Sequence, residues 1–272
     1  MGLGTFVRLA RYRLRTSVSH VPAIYMPLAR LKMRARDAEG PAVVESDTNL
    51  VIEAFPRSGN SFAVTAFRFA QRQPIRLAHH FHAAAQIIRG VRLDKPVLLI
   101  VRHPKDAVLS FVLREEHVPL EVGLGSWIDF HRRLLPYANR LVVASFERVT
   151  SDFGTVVDDV NRRFGTSFSR FEHTEENVRA CFELIEKRNA MRFGGGSVLE
   201  SFVARPSSAR NLLKPALEEK WQALPKSRQD EAFDLYASFK KLESVHAMRG
   251  GDGGCQDASG AKSGFADRRS PA

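Results

Sequence analysis

The chain has 272 residues, of which 44% are hydrophobic, enough for one sizeable core and marginal for two. Its 41 lysines and arginines exceed its 30 acidic residues and give a net charge of +11, which favours polyanions, anionic lipid surfaces or small phosphorylated ligands without choosing among them. The two cysteines, Cys181 and Cys255, lie far apart and outside any CxxC motif, which argues against a disulfide framework or a zinc site and predicts a cytoplasmic protein.

Residues 1–48 form a basic leader that we expect to be partly helical. Apolar residues and arginines alternate between residues 6 and 15 in a pattern that a helix could use. A solvated leader, a helix packed on the domain and a helix lying on an anionic membrane surface all fit this pattern. The arginines stand where a signal peptide has its apolar segment, and the apolar stretch 21–29 is too short to span a membrane. We expect no transmembrane segment, and peripheral membrane contact through the leader stays open.

Residues 49–248 alternate strands with helices and form the expected main domain. The predicted strands are 50–55, 75–78, 97–101 and 141–146. The predicted helices are 60–71, 105–113, 126–138, 152–164, 175–189, 215–223 and 227–246. This alternation predicts an α/β fold with a single open parallel sheet flanked by helices. Residues 249–272 are rich in glycine, serine, alanine and aspartate and contain one aromatic residue. This composition predicts a disordered tail.

The segment FPRSGNSF, residues 55–62, joins the first predicted strand to the first helix. Free backbone N–H groups and the positive end of the helix dipole meet at such a turn and attract an anion. Gly59 permits a close approach or an unusual dihedral angle. Arg57 offers a charged fork, and the hydroxyls of Ser58 and Ser61 add donors. A phosphate loop and a plain helix cap both fit this segment, and the GxxxxGK[ST] signature of nucleoside triphosphate sites is absent.

A second segment, VRHPKDAVLSFV at residues 101–112, repeats the pattern. Arg102 stands at the carboxyl end of the apolar strand VLLIV, where ligands bind in open parallel sheets. Ser110 follows two helical turns later, so that one arginine and one hydroxyl can hold a second phosphate. A surface arginine paired with Asp106 is the simpler alternative.

Together the two segments resemble the sulfotransferases that use 3′-phosphoadenosine 5′-phosphosulfate. In that family a segment close to YPRSGTTW holds the 5′-phosphosulfate, and RNPKDVAVSYY holds the 3′-phosphate. The resemblance implies the P-loop-like sulfotransferase architecture, this donor as a cosubstrate, and no metal. The donor-binding residues that it implies are Arg57, Ser58, Gly59, Asn60, Ser61, Phe62, Arg102 and Ser110.

A histidine cluster lies in RLAHHFHA, residues 76–83. It occupies the place of the family's KTHLP segment, which implies a catalytic His80 that takes the acceptor's proton as a general base. His79 and His82 compete for this role. In an extended strand His80 and His82 share a face, which makes His82 the stronger rival. The second implied catalytic residue is Arg57, which would donate to the leaving 5′-phosphate, although many family members have lysine there.

Two further segments match the family more weakly. LVVASFERV, residues 141–149, resembles the family's strand ending in YED and implies that Phe146 meets the adenine. RPSSARNLLKP, residues 205–215, resembles a variant of the RKGxxGDWKN loop that lacks its glycines. Only Arg205, and less firmly Arg210, correspond to donor-binding residues there.

The function that this resemblance implies is sulfuryl transfer to a hydroxyl or amine of a carbohydrate-like or small-molecule acceptor. Carbohydrate is slightly favoured because the region around His80 and residues 115–126 contain few aromatic residues to line an apolar pocket. A kinase-like phosphoryl transferase and a nucleotide-binding homologue without catalysis are the alternatives. A basic protein acting on nucleic acid or membrane through its leader is a third, although we expect no nucleic-acid partner. The oligomeric state is not predicted.

Overall fold

The computed structural model describes residues 2–33, 42–192 and 217–248, and the statements below concern these residues. Four strands form one sheet in which all neighbours are parallel, in the order β2-β1-β3-β4. The strands are β1 (Leu50–Ala54), β2 (Leu77–His79), β3 (Val97–Val101) and β4 (Val142–Ser145). The predicted α/β fold with an open parallel sheet is confirmed.

Helices connect the strands and cover the sheet. In chain order they are α1 (Leu3–Val18), α2 (Pro22–Met33), α3 (Asn60–Ala70), α4 (Ala84–Arg92), α5 (Pro104–Arg114), α6 (Leu120–Leu134), a 3-10 helix (Leu135–Arg140), α7 (Phe146–Ser151), α8 (Phe153–Phe164), α9 (Glu175–Arg192), α10 (217–222) and α11 (Lys226–Met248). The sequence did not single out α2, α4 or α7. Two of these are short, and α2 contains Pro27, which is usually read as a helix break. None of the described helices is long and apolar enough to cross a membrane.

The side chains of β3 show how the sheet is buried on both faces. Leu99 and its odd-numbered neighbours pack into one core cluster, and Leu98 and Ile100 pack into the other. The first cluster includes side chains from α2, α4, α5, α6 and α11. The second includes side chains from α3, α8 and α9. Because every strand residue is buried, the sequence of β3 is continuously apolar, as a covered parallel strand requires.

The strand order locates the ligand-binding edge of the sheet. From β1 the chain passes to β2 on one side and then crosses to β3 on the other side. A reversal of this kind opens a crevice at the carboxyl ends of the two central strands, where ligands bind in open α/β sheets. The loops that follow β1 and β3 are the two predicted phosphate-binding segments.

The helices α1 and α2 pack on this domain. Tyr25, Met26 and Ala29 of α2 belong to the first core cluster, and Leu9 is the buried residue of α1. The guanidinium of Arg15 donates a hydrogen bond to the carbonyl oxygen of Phe81 over 2.8 Å. Part of the predicted leader therefore lies against the sheet domain, while the division of the chain at residue 48 stays a prediction. The predicted tail, 249–272, lies outside the described residues.

Candidate active site

A cavity of about 1730 Å³ opens at the carboxyl edge of the sheet. It is lined by the loops that follow β1 and β3, by the histidine cluster and by one side of α1. Among the described residues ten arginines and lysines and three carboxylates line it, so that the cavity is positive. The basic residues are Arg8, Arg11, Arg13, Arg15, Lys32, Arg57, Arg102, Arg114, Arg133 and Arg188, and the acidic ones are Asp106, Glu115 and Asp129.

The turn after β1 has a conformation that requires glycine at one position. Gly59 has φ +90°, and a Cβ atom placed on it would lie 3.1 Å from Cδ2 of Phe146. Arg57, two residues earlier, also has a positive φ, of +67°. The turn leads directly into α3 at Asn60, and the first N–H groups of a helix have no partner within the helix. The segment therefore provides the backbone donors that an anion site needs.

Hydrogen bonds join the two predicted phosphate-binding segments into one site. Nε of Arg57 donates to Oγ of Ser110 over 3.1 Å. Nη1 of Arg102 donates to the carbonyl oxygen of Arg57 over 2.7 Å. Burial lowers the pKa of the Arg102 guanidinium. The Arg102 guanidinium also lies 4.2 Å from the centre of the Phe146 ring. Four residues that were predicted from three separate segments thus lie within contact distance of one another.

Phe146 stands at the cavity wall as the first residue of α7. Its ring packs against Gly59 on the first loop and against the guanidinium of Arg102 on the second. A half-buried ring fixed between both loops can present a flat surface to a purine base. The predicted contact with adenine is consistent with this position and remains a prediction.

Two polar residues of the first loop are buried without a partner. Ser58 is only 1% exposed and does not line the cavity. In this conformation its hydroxyl does not reach the cavity, so only its backbone N–H group can donate a hydrogen bond to an anion. Asn60 borders the cavity. The hydroxyl of Ser58 and the amide of Asn60 have no hydrogen-bond partner among the described residues, which costs about 1 to 3 kcal/mol for each buried group. Phe62 also borders the cavity, with its ring 5.6 Å from that of Phe182.

The histidine cluster does not continue the extended strand. Strand β2 ends at His79, and His80 and His82 have positive φ angles of +63° and +51°. The sequence-based assumption of alternating sides is therefore wrong, because a left-handed residue turns the chain. Nε2 of His80 lies 3.2 Å from Oγ of Ser61 on the first loop. The structure thus brings His80 beside the predicted donor site.

His82 is held as part of the backbone scaffold. Its Nδ1 lies 2.8 Å from the carbonyl oxygen of Ala54, and its backbone N–H donates to the carboxylate of Glu53. Burial lowers the pKa of the His82 imidazole to about 4. A ring whose Nδ1 donates to a main-chain carbonyl is anchored, which favours His80 over His82 as the reactive group.

A chain of three side chains fixes the hydrogen positions on His80. Nη2 of Arg68 donates to Nε2 of His79 over 3.0 Å, and a guanidinium can only donate. Burial and the nearby guanidinium lower the pKa of His79 to about 3, so that the neutral ring carries its hydrogen on Nδ1. That atom lies 2.7 Å from Nδ1 of His80 and donates to it. The hydrogen of His80 is then on Nε2, directed at Ser61.

Glu53 is a site residue that the sequence analysis missed. Its carboxylate accepts hydrogen bonds from the backbone N–H groups of Phe81 and His82 and from the side-chain amide of Gln86. Burial raises the pKa of this carboxyl to about 7. Glu53 therefore holds the turn that presents His80. The available signal was a single acid inside the otherwise apolar strand LVIEA.

The cavity contains more aromatic side chains than the sequence suggested. Besides Phe62, Phe146 and Phe182, they come from α1, α2, α5, α6 and the segments that follow β1 and β2, which are separated along the chain. These residues are Tyr12, Tyr25, Phe55, Phe81, Phe111 and Phe130. The expectation of few aromatics near His80 considered neighbours in sequence only, and the fold adds distant ones.

Some predicted residues cannot be placed. Arg205 and Arg210 lie outside the described residues. Within the described ranges, no group of three or more histidine, cysteine, aspartate or glutamate side chains is arranged to hold a metal ion.

Comparisons with known proteins add little to this geometry. No protein-family model matches the chain, and no curated protein matches its sequence. Among solved structures, the chain is similar to mouse sulfotransferase SULT7A1 complexed with PAP, with 13% sequence identity over 74% of this chain and 90% of that chain and a TM-score of 0.43. A similarity of this size supports no conclusion about the site, so the proposal below rests on the residues.

Proposed function

We propose that the protein transfers a sulfuryl group from 3′-phosphoadenosine 5′-phosphosulfate to a hydroxyl or amine acceptor. The observation that supports this proposal is the contact between the two loops. Arg57 donates a hydrogen bond to Ser110, and Arg102 donates a hydrogen bond to the backbone carbonyl of Arg57. A donor with phosphate groups at both its 3′ and 5′ positions needs two adjacent anion sites. The motif resemblance assigns one phosphate to each loop.

The residues divide between the two ends of the donor. Arg57, the hydroxyl of Ser61 and the N–H groups that begin α3 would hold the 5′-phosphosulfate, while Arg102 and Ser110 would hold the 3′-phosphate. Phe146 lies between them and would contact the adenine. In the reaction the bond between sulfur and the 5′-phosphate oxygen breaks, and a bond from sulfur to the acceptor oxygen or nitrogen forms. Arg57 would stabilise the charge that develops on the departing phosphate.

His80 has two possible roles at the reacting end. A general base needs a free lone pair on Nε2, which the chain from Arg68 through His79 opposes. A hydrogen-bond donor needs the hydrogen that this chain places on Nε2. We therefore propose that His80 donates to the departing oxygen and that the acceptor's proton passes to water. Transfers of this type have loose transition states, in which charge develops on the leaving oxygen before the nucleophile has bonded strongly.

We assign to the acceptor the part of the cavity that α1, α5 and α6 line, which is both basic and aromatic. Tyr12, Phe111 and Phe130 can contact an apolar group, and Arg15 and Arg133 can contact a negative one. These residues support an acceptor that combines an apolar part with a negative charge over a neutral carbohydrate. A labelled-donor turnover screen against glycans, phenols and anionic amphiphiles would identify the class.

Two alternatives use the same site. A nucleotide-binding homologue without catalysis would bind adenosine 3′,5′-bisphosphate and show no turnover with any acceptor. A kinase-like phosphoryl transferase would respond to ATP, although the first loop lacks the lysine of nucleoside triphosphate sites.

A thermal-shift comparison tests the donor. We expect adenosine 3′,5′-bisphosphate to raise the melting temperature more than 5′-AMP, which lacks the 3′-phosphate, and much more than ATP at equal concentration, because a ligand stabilises the state that binds it. Equal shifts with all three nucleotides would contradict the two-phosphate site. A larger shift with ATP would favour the kinase-like alternative.

A further inference from the structure

The two N-terminal helices expose an unusual amount of apolar surface. Seven of the eleven large apolar side chains that are exposed in the described part of the chain lie on α1 and α2. They are Leu3, Phe6, Val7, Leu14, Ile24, Leu28 and Leu31. Large exposed apolar side chains that cluster on a surface indicate an interaction site.

On each helix these residues follow helical spacing. Leu3, Phe6, Val7, the exposed Ala10 and Leu14 lie at positions i, i+3, i+4, i+7 and i+11 of α1. Leu3 is 81% and Leu14 is 69% exposed. Residues with this spacing form one stripe along a helix. The buried Leu9 lies on the opposite side, where α1 packs on the domain, so that the stripe of α1 points outward.

The second helix has the same arrangement. Ile24, Leu28 and Leu31 lie at positions i, i+4 and i+7 of α2 and are 50%, 56% and 67% exposed. Tyr25 and Met26 of the same helix are buried in the core. Both helices are thus fixed to the domain by one side and present an apolar stripe on another.

The charge of the two helices distinguishes among partners. Residues 2–33 contain five arginines and one lysine and no aspartate or glutamate. Arg11 and Arg13, which also border the cavity, are exposed and flank the stripe of α1 on its two sides. A second copy of the chain would bring the same positive charge against itself, which opposes self-association. An anionic lipid surface provides both an apolar layer and the opposite charge.

We propose that α1 and α2 dock the protein on the surface of an anionic bilayer. The apolar stripes enter the boundary between headgroups and acyl chains, and the flanking arginines contact the anionic headgroups. The same α1 lines the cavity with Arg8 and Arg15, so that docking brings the cavity close to the lipid surface. This inference does not depend on the transfer activity, and its test needs neither donor nor acceptor.

The test measures sedimentation of the full chain with vesicles of phosphatidylcholine alone and of phosphatidylcholine mixed with phosphatidylserine. We expect binding to the anionic vesicles that falls as salt is added. We expect Phe6→Ser/Leu14→Ser to weaken this binding by about tenfold or more, because it removes two inserted side chains. The matched control, Leu135→Ser/Leu184→Ser, changes two exposed leucines elsewhere and should bind like the unmodified chain.

A second pair of variants tests the charge. Arg11→Glu/Arg13→Glu should weaken binding to the anionic vesicles at least as strongly, while Arg72→Glu/Arg179→Glu reverses the same charge on exposed sites of other elements and should have a much smaller effect. The far-ultraviolet circular dichroism and melting temperature of each variant show that it is folded.

Three results would overturn the proposal. One is the absence of binding to anionic vesicles at low salt. Another is equal binding to both vesicle types, or a loss of vesicle binding in the control variants as large as that in the test variants. The third is a dimer in light scattering that the Phe6→Ser/Leu14→Ser change dissociates, because the stripes would then be covered by a second copy.

Discussion

The guanidinium of Arg68 lies 3.0 Å from Nε2 of His79 and thereby determines which nitrogen of His80 carries a hydrogen. Arg68 was not predicted to influence catalysis, and His79 was named only as a weaker competitor of His80. The relationship turns a histidine cluster into an ordered chain that ends at Ser61 on the first loop. The hydrogen positions in this chain can be tested by spectroscopy before an acceptor is known.

The hydrogen positions in this chain can be measured directly. In a two-bond ¹H–¹⁵N spectrum we expect His79 to be protonated on Nδ1 and His80 on Nε2. Arg68→Met removes the obligatory donor and should give mixed tautomers, and Arg68→Lys, which keeps a donor of similar reach, should retain much of the original pattern. With an acceptor in hand, Arg68→Met should lower turnover by about tenfold or less, a smaller loss than removal of His80 itself. An unchanged tautomer pattern in Arg68→Met would refute the role given to Arg68.

Replacement of His80 distinguishes a hydrogen-bond donor from a base. His80→Ala should lose turnover by about 10²- to 10⁴-fold while keeping the stabilisation by adenosine 3′,5′-bisphosphate. The side-chain amide of His80→Gln can donate a hydrogen bond but cannot accept a proton, so we expect it to retain clearly more turnover than His80→Ala. Equal losses in the two variants would return His80 to the role of general base. His82→Ala is the control for damage to the scaffold and should mainly lower stability.

Arg102 tests the assignment of the 3′-phosphate. Arg102→Ala should weaken binding of adenosine 3′,5′-bisphosphate by roughly 2 to 4 kcal/mol, because a charged contact is lost from a sheltered site. At saturating donor the turnover should change less, since the 3′-phosphate is remote from the transferred sulfur. Isothermal titration calorimetry measures the affinity, with the exposed Arg179→Ala as the matched control. Unchanged affinity in Arg102→Ala would remove this residue from the donor site.

Two glycines with similar dihedral angles separate conformational strain from crowding. Gly59 and Gly165 both have a positive φ, but a Cβ on Gly59 would meet Phe146 at 3.1 Å, whereas a Cβ on Gly165 meets nothing within 4 Å. Gly165→Ala should cost about 1 kcal/mol of stability and leave nucleotide binding unchanged. Gly59→Ala should have a similar dihedral cost and should also lower the affinity for adenosine 3′,5′-bisphosphate by displacing the Phe146 ring. Urea unfolding and calorimetry give the two quantities, and equal nucleotide affinity in both variants would contradict the second claim.

Glu53 should make stability depend on pH in an unusual direction. Burial raises the pKa of the Glu53 carboxyl from 4.5 to about 7. As the pH rises, the unfolded chain therefore loses the carboxyl proton at a lower pH than the folded chain does. Glu53 therefore makes its maximum contribution to the free energy of unfolding below about pH 4.5. This contribution falls as the pH rises toward 7, and above pH 7 it is lower than the maximum by up to about 3 kcal/mol. His79, His82 and His131 have lowered pKa values and act in the opposite direction below about pH 6.5.

The variant Glu53→Gln isolates this contribution, because the histidines cancel in the difference from the unmodified chain. We expect Glu53→Gln to be less stable than the unmodified chain at pH 5, because the amide lacks an acceptor for one of the two backbone N–H groups. The stability difference should shrink as the pH rises through 7, because the unmodified chain is then destabilised. Urea unfolding at closely spaced pH values measures the difference. A difference that is constant from pH 5 to pH 8 would show that Glu53 is already ionised throughout.

The sequence predicted the sheet well because its evidence is local. VLLIV has no polar residue and ends at an arginine, and a strand covered on both faces must have such a sequence. The positions of Arg57 and Arg102 followed from the same rule, since both residues stand where a strand ends. The boundaries of α6 were less accurate, with a predicted start at 126 and an observed start at Leu120.

The rest of the site depends on contacts between distant residues. The left-handed conformation of His80 is supported by Glu53, which lies on another strand, and strand periodicity could not reveal it. The same limit explains the unexpected aromatic lining, since Tyr12 and Phe130 come from helices far apart in the chain. Local patterns therefore predicted the two loops that meet at the cavity and misjudged the surroundings of these loops.

The wall of the cavity that α1 provides is separate from the sheet that holds the two anion loops. Among the described residues, its connections to the domain include buried Leu9, the contact of the Tyr12 ring with Phe111 and the hydrogen bond from Arg15 to Phe81. A sequence change on the cavity side of α1 can therefore alter the shape and charge offered to an acceptor without moving Arg57 or Arg102. The cavity is modular in this sense, and under the proposed function substitutions on the cavity side of residues 3–18 should alter acceptor selectivity while the proposed donor loops stay intact.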